Sequence, residues 1–475
     1  MIDTTHRHKP GLSARHSSRI PLLLFLLFFV LPQPVHAAPE GDTLPEQWTV
    51  KEAVNFALAS NPDARIALHR ISAAQASINQ AQAAFFPKLG VNVEYGQTNN
   101  PMYSFGNILN QGSFTNTIDF NHPGTTDNLR LAARLKYRLY NGGRDQAGVR
   151  SATAQQQAEE WQRTAILSRL SFEVVRSFYT IIQAGEIVAA RKSAITAIET
   201  SLAVARARYE AGDLLKASLL DIEVQQSVAH EQLIQARHGL NLAKRAFLNL
   251  LGLKQKEVHL DLAQHFPQNI PTNPNSDQRP EIRSLNARIL MAREQLEKAM
   301  GGYYPTADLF GSYQVDQGFV YEENSGNSWM AGVRLNYTLY DGKNTSAAVA
   351  RAKADLIQTQ EMKRKSVLDI GLEIEKAELA LQQAEERLQV TKKMVELAEE
   401  SARLSRERFR EGVILSSTLL DAENRLTDAR VHASLAKAAR AIAIADLRRA
   451  TGLPQFNEVL YSQKQTEEPT LPQQK

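Results

Sequence analysis

The 475 residues include no cysteine. A chain without thiols forms no disulfide, offers no thiolate to a metal and takes no lipid on an N-terminal Cys. Long apolar runs are missing as well. The most apolar stretch, Ile20 to Leu31, is 12 residues long, well short of the roughly 20 that a spanning helix needs. Beyond it no apolar run reaches 18 residues, so any contact of the mature chain with a bilayer core must be made by strands. Charge of one sign is scarce. The formal net charge is +4, and Arg7, Lys9, Arg15 and Arg19 against Asp3 account for most of it. The remainder is nearly neutral, which gives no basic stripe and no nucleic-acid partner. Beyond residue 37 the histidines, His69, His122, His230, His238, His259, His265 and His432, are scattered without metal-ligand spacing. No phosphate-binding glycine loop or nucleophile motif follows a strand. No catalytic residue, cofactor or metal is therefore expected, and the chain does not read as an enzyme.

Proline is absent from Gly124 to Phe266 and again from Thr306 to Leu453. Both stretches are rich in Ala, Leu, Gln, Glu, Arg and Lys, the residues that lose least on entering a helix. The chain is also duplicated. Arg206, Arg208, Gly212, Leu215, Leu219, Leu220, Asp221 and Glu223 recur 200 positions later as Arg406, Arg408, Gly412, Leu415, Leu419, Leu420, Asp421 and Glu423. Asn61-Pro62-Asp63 and Phe85-Phe86-Pro87 answer Arg279-Pro280-Glu281 and Tyr303-Tyr304-Pro305 at an offset of 218. A repeat of this length means two copies of one structural unit. The change of offset places an 18-residue insertion between Tyr95 and Arg134 of the first copy, in a stretch, Thr98 to Asn128, whose Asn, Gly, Thr and Pro content predicts a long surface loop.

Residues 1–37 have the charged, apolar and small-residue regions of a secretory signal, with cleavage expected after Ala37 or Ala38. The expected organisation is a first repeat over 38–253, a linker over 254–278, a second repeat over 279–453 and a polar tail over 454–475. Helices are expected at about 143–210, 215–252, 343–410 and 416–451, the longest near 100 Å at 1.5 Å per residue. Such a helix must pack in coiled-coil fashion. Ile370, Ile374, Ala377, Leu381, Ala384, Leu388, Val395, Ala398 and Ala402 follow steps of four and three, with only Thr391 polar in the series. Gly212 and Gly412 are expected to end helices in the left-handed conformation. Ser218 and Ser416 or Ser417 are read as caps of the helices that follow, and Asp221 and Asp421 as first-turn carboxylates or pore-lining groups.

Ahead of each long helix the period becomes two. Strands are expected at about 88–97, 129–140, 306–316 and 328–340, each long enough to cross a bilayer when tilted. Tyr140, Tyr340, Phe85-Phe86 and Tyr303-Tyr304 fall at one common end, as in an interfacial aromatic belt. On the faces opposite the aliphatic residues lie Arg130, Arg134, Lys136, Arg138 and Arg334, which would line a lumen if the aliphatic face meets lipid. Four strands close no single-chain barrel, since those start at eight. Either the sheet stays open or several copies close it together.

The duplicated strand-hairpin and helical-hairpin units, the RYEAG and RFREG turns followed by LLDIE and LLDAE, and the Tyr-Asn-Gly-Gly and Tyr-Asp-Gly-Lys junctions resemble TolC-like outer-membrane efflux proteins. That resemblance implies an α+β membrane protein: a homotrimer with a 12-stranded barrel in the outer membrane lipid, continued by a long α-helical periplasmic barrel. It implies a passive export duct that works with a periplasmic adaptor (membrane fusion) protein and an inner-membrane transporter of RND or ABC type. Adaptor docking falls on Tyr209, Gly212, Leu219 and Leu220, with Phe409, Gly412, Leu419 and Leu420. The periplasmic entrance falls on Asp421 and Asp221, and Ser218 and Thr418 stand where relatives carry a second acid. The alternative is a periplasmic coiled-coil adaptor, which would show one helical hairpin flanked by compact β domains.

Overall fold

The computed structural model describes residues 45–254, 257–261 and 279–456. The expected signal segment 1–37, most of the 254–278 linker and the tail beyond residue 456 lie outside the described residues. One antiparallel sheet holds β1 (Lys88–Thr98), β2 (Thr126–Tyr140), β3 (Thr306–Gln317) and β4 (Ser325–Asn336) in sequential order. Eight helices are described: α1 (Val50–Ser60), α2 (Pro62–Gln82), α3 (Pro101–Asn110), α4 (Arg144–Glu210), α5 (Lys216–Leu250), α6 (Pro280–Met300), α7 (Asn344–Arg410) and α8 (Ser416–Ala450).

The duplication is exact in the sheet. Lys88 faces Lys136 in the first hairpin and Thr306 faces Asn336 in the second, so the offsets of 218 and 200 read from sequence carry one register onto the other. Because directly opposed residues share a face, the register assembles one aliphatic surface. Leu89, Val91, Val93 and Tyr95 lie beside Leu135, Ala133, Leu131 and Leu129, and the row continues through Leu309, Gly311, Tyr313 and Val315 to Val333, Ala331 and Trp329. Within the chain this surface is uncovered: Leu89, Val93, Trp329 and Leu335 are 72%, 64%, 76% and 70% exposed.

α4 and α7 are each 67 residues long, and the heptad seam of α7 is where the pattern put it. Ile370, Ile374, Ala377, Leu381, Ala384 and Ala402 are buried. Thr391 joins them because its hydroxyl donates to the Arg387 carbonyl at 2.8 Å, which satisfies the polar atom locally. The two proline tripeptides start α2 and α6, which the periodicity had not revealed. Pro62 and Pro280 stand at the first helical turn, where a missing N–H costs nothing. The residues ahead of them tie these helices to the ends of the second hairpin arms. Asn61 donates to the Leu250 carbonyl at 2.8 Å, and Arg279, in the matching place, donates to the carbonyls of Arg449 and Ala450 at 3.1 and 2.9 Å.

Two expectations are corrected. The fourth strand stops at Asn336 instead of running to Tyr340. In β2 the matching residues are held in the sheet by β3, where Tyr137 faces Leu309 and Arg138 faces Asp308. β4 is the edge, so residues 337–340 have the right alternation but no strand beside them among the described residues. The second correction is the 98–128 segment, which is not all loop. Asn100 accepts from the backbone N–H groups of Met102 and Tyr103 and so caps α3, with Pro101 at its first position. Gln111, fully buried, donates to the Asp127 carbonyl, and Phe105, Phe114 and Phe120 cluster at 4.6 to 6.1 Å. Removing the cap with Asn100→Ala is expected to cost about 1 kcal/mol. It should show as faster amide exchange over residues 101–110 with β1 and β2 unchanged.

Candidate functional site

Two places concentrate the singled-out residues: the hairpin tips and the polar face of the sheet. At the tips the backbone is the same in both copies. Gly212 and Gly412 have φ of +86° and +83°. The N–H of Asp213 reaches the Arg208 carbonyl at 2.8 Å, and that of Val413 reaches the Arg408 carbonyl at 2.9 Å. This is the left-handed glycine ending that satisfies the last helical carbonyls. The helices that follow start without a side-chain cap, after Leu215 and Leu415. Ser218, Ser416 and Ser417 already lie within the first turn, so the expected serine caps are absent. Asp221 and Asp421 are sixth in their helices, past the turn where a carboxylate gains most from the helix dipole. Both are exposed, as is Thr418, and Ser218 is half-buried.

The docking set divides by burial. Phe409 and Leu419 are 2% and 0% exposed and belong to a core with Ile222, Leu202 and Ala205. They hold the tip together and present no surface. Tyr209 and Leu220 are exposed, and Leu219 and Leu420 are half-buried. The two tips touch within one chain through Arg208. It donates to the Phe409 carbonyl at 2.9 Å and the Asp213 carbonyl at 3.2 Å, and its guanidinium lies 5.4 Å from the Phe409 ring, a favourable cation–π placement. A Cβ on Gly412 would come 3.1 Å from this guanidinium, at the movable end of the arginine, so the glycine is set by its left-handed φ. Gln225 donates to Asn424 at 2.8 Å and ties α5 to α8. Below each tip an arginine pairs with a glutamate, Arg206 with Glu223 at 3.0 Å and Arg406 with Glu423 at 2.8 Å. Only Glu423 is buried, and its hydrogen bond raises Arg406 above the ordinary arginine range.

On the sheet Arg130, Arg134, Lys136, Arg138 and Arg334 share the polar face, as the register requires. They are less free than a row of five cations would be. Arg130 pairs with Asp316 at 2.9 Å, and Asp308 lies 3.6 Å from Lys136 and 3.7 Å from Arg138. Arg138 also approaches Asp145 at 3.4 Å. Arg334 lies over the Phe310 ring at 5.0 Å. Asp308 and Asp316 escaped the reading of the sequence, although they stand on the polar parity of β3, opposite in phase to Leu309 and Tyr313. Among the described residues no cluster of His, Asp and Glu is placed to hold a metal ion, and no helix is long and apolar enough to cross a membrane.

Comparison with known proteins places this arrangement. The Outer membrane efflux protein BepC of Brucella suis is 24% identical over 251 residues, 52% of this chain and 54% of that protein, so the chain spans about half of that relative's length. Nodulation protein T of Rhizobium leguminosarum is 22% identical over 405 residues, 81% of each chain. Among solved structures, the Campylobacter jejuni CmeC outer membrane channel shares the fold with a TM-score of 0.74 at 16% identity, over 86% of this chain and 87% of that one. The profile of the Outer membrane efflux protein family matches residues 53–253 and 276–453, both repeats, and the chain belongs to that family.

Proposed function

We propose that the protein is the outer-membrane channel of a tripartite efflux or secretion system, a passive duct whose strands form the membrane barrel and whose helices form the periplasmic passage. The observation that carries this is the sheet: among the described residues, four strands with two unpaired edges under one continuous, uncovered aliphatic face. That face needs lipid, and open edges do not occur in a bilayer, so copies must join edge to edge. Three copies give the 12 strands of the family barrel. The basic residues of the polar face, Arg130, Arg134, Lys136, Arg138 and Arg334, then line the lumen. A soluble adaptor role is disfavoured by the same aliphatic face and by the second helical hairpin. Light scattering of the detergent-extracted protein, with conductance in planar bilayers, tests the reading. Trimers that make pores are expected, and a soluble monomer without conductance would refute it.

The helical tips are the periplasmic end. Tyr209, Leu220 and the turns at Gly212 and Gly412 would meet the adaptor, and energy comes from an inner-membrane transporter of RND or ABC type. Asp421, with Asp221, is proposed to face the narrow entrance, with Thr418 and Ser218 leaving it less acidic than a double ring. Three carboxylates brought close in a pore favour multivalent cations. Asp421→Asn is therefore expected to weaken block of single-channel current by periplasmic-side trivalent cations by roughly tenfold, about 1.4 kcal/mol. Unchanged block would remove Asp421 from the entrance.

A further inference from the structure

The charges on the polar face of the sheet are not spread evenly along the strands. The register divides that face into layers two residues apart. Nearest the long helices Arg138 and Arg334 flank Asp308, next Lys88 stands beside Lys136, and then Arg134 lies between Gly90 and Ser312. These three layers hold five cations and one carboxylate, to which α4 adds Asp145 beside Arg138. Farther out, Asn92, Ala132, Gln314 and Ser328 carry no charge, and the layer beyond them joins Glu94 to Arg130 and Asp316. The foot of the sheet is therefore basic and its outer part slightly acidic. Layers about 7 Å apart along a strand lie within one Debye length, about 8 Å at physiological salt, so the basic layers act together.

One place in this basic foot is shaped to receive a ligand. Ala84, Phe86, Lys88, Lys136 and Arg138 line a hollow of about 100 Å³, room for one sulfate, phosphate or carboxylate group. Lys88 and Lys136 are direct cross-strand partners, and like charges so placed destabilise a sheet. Lys88 makes no ion pair among the described residues. Asp308 lies 3.6 Å from Lys136 and 3.7 Å from Arg138, beyond hydrogen-bond reach of either, and Arg138 gives one Nη1 contact to Asp145 at 3.4 Å. The duplication supplies the comparison. In the second copy Thr306 and Asn336 hold the places of Lys88 and Lys136, and Thr338 that of Arg138. The fold itself does not ask for three cations there.

We infer that this hollow is an anion-binding site on the lumen wall, taking a sulfate, phosphate or carboxylate group of the exported solute, so that the duct carries anionic cargo past this level. The inference rests on the channel reading above and adds the class of cargo. Three copies would set three such hollows in one ring at the foot of the barrel, where low-dielectric walls focus the field of like charges on whatever passes. The 67 residues of α4 separate the ring from the acidic tips, so its occupancy can be read apart from theirs.

The test uses the full chain in planar bilayers, with inorganic pyrophosphate on both sides as the probe. The parent current is expected to be blocked. Lys88→Thr with Lys136→Asn, which installs the second copy's own pair in the same register, should raise the half-blocking concentration roughly tenfold, about 1.4 kcal/mol. The same variant should move the zero-current potential in a KCl gradient toward that of potassium. Lys88→Arg with Lys136→Arg should block at least as well, since guanidinium groups hold phosphate in bidentate fashion. Added phosphatidylglycerol should leave the block unchanged, because the hollow lies on the face away from lipid. Block abolished by that anionic lipid would assign the hollow to a lipid headgroup and overturn the cargo reading. A conducting parent that pyrophosphate does not block, or block and zero-current potential that survive the loss of both lysines, would overturn the site and leave the channel reading intact. A parent that makes no pores would sink both readings.

Discussion

Leu131→Arg is expected to abolish assembly in the outer membrane. Leu131 sits mid-strand in β2, on the aliphatic face and 44% exposed within the chain, with Val93 and Val315 directly beside it. An arginine on the lipid face near the bilayer midplane costs about 2–4 kcal/mol, and in the proposed three-copy barrel this rises to about 6–12 kcal/mol per assembly by the same figure. That approaches the whole stability of an ordinary domain, about 5–15 kcal/mol. Asn92→Arg is the comparison. Asn92 is one position from Val93 but on the polar face, opposite Ala132, and an arginine there meets water. The measurement is the amount of heat-modifiable, detergent-extracted oligomer in outer-membrane fractions. Near-complete loss for Leu131→Arg with normal recovery for Asn92→Arg is expected, and equal recovery would show that the aliphatic face does not meet lipid.

Phe409→Ala has the second large effect, at the other end of the molecule. The ring is 2% exposed, packs with Leu419 and Ile222, and lies against the Arg208 guanidinium. Burying a phenylalanine and then truncating it costs about 3–5 kcal/mol through lost transfer energy and the cavity left behind. The tip core is a separate cluster far along the helices from the sheet, so the loss should be local. Amide exchange is expected to accelerate over about residues 202–225 and 402–426, with β1 to β4 unaffected. Val413→Ala, at a side chain 69% exposed on the same turn, should change exchange by less than about 0.5 kcal/mol. If Phe409→Ala leaves the tips protected, the two hairpins are held by something other than this core.

Some features were legible because they are local. The left-handed glycines at 212 and 412, the period-two strands and the α7 seam each follow from the conformational preference of a few neighbouring residues or from which side of one element is apolar. The duplication went further, since the offsets of 218 and 200 carry the register of one hairpin onto the other without any structure. Residues that do their work through a distant partner stayed hidden. Phe409 and Leu419 read as surface because their spacing matches that of the exposed Tyr209 and the half-buried Leu219, and only the meeting of the two tips buries one pair more deeply than the other. Asp308 and Asp316 look like any polar strand residues until the β2–β3 register sets them beside Arg138 and Arg130. The strand pattern ran on to Tyr340, but a strand needs a neighbour to take its hydrogen bonds, and β4 has none beyond β3 among the described residues. By itself the sequence determined the four long helices, the four strands and which face of each strand is apolar, because those depend on backbone preference and periodicity. The tertiary structure alone decided which of two matched residues is covered, which acid of β3 neutralises which base of β2 and where the edge strand ends, because each depends on the presence or absence of a neighbouring element that no local pattern reveals.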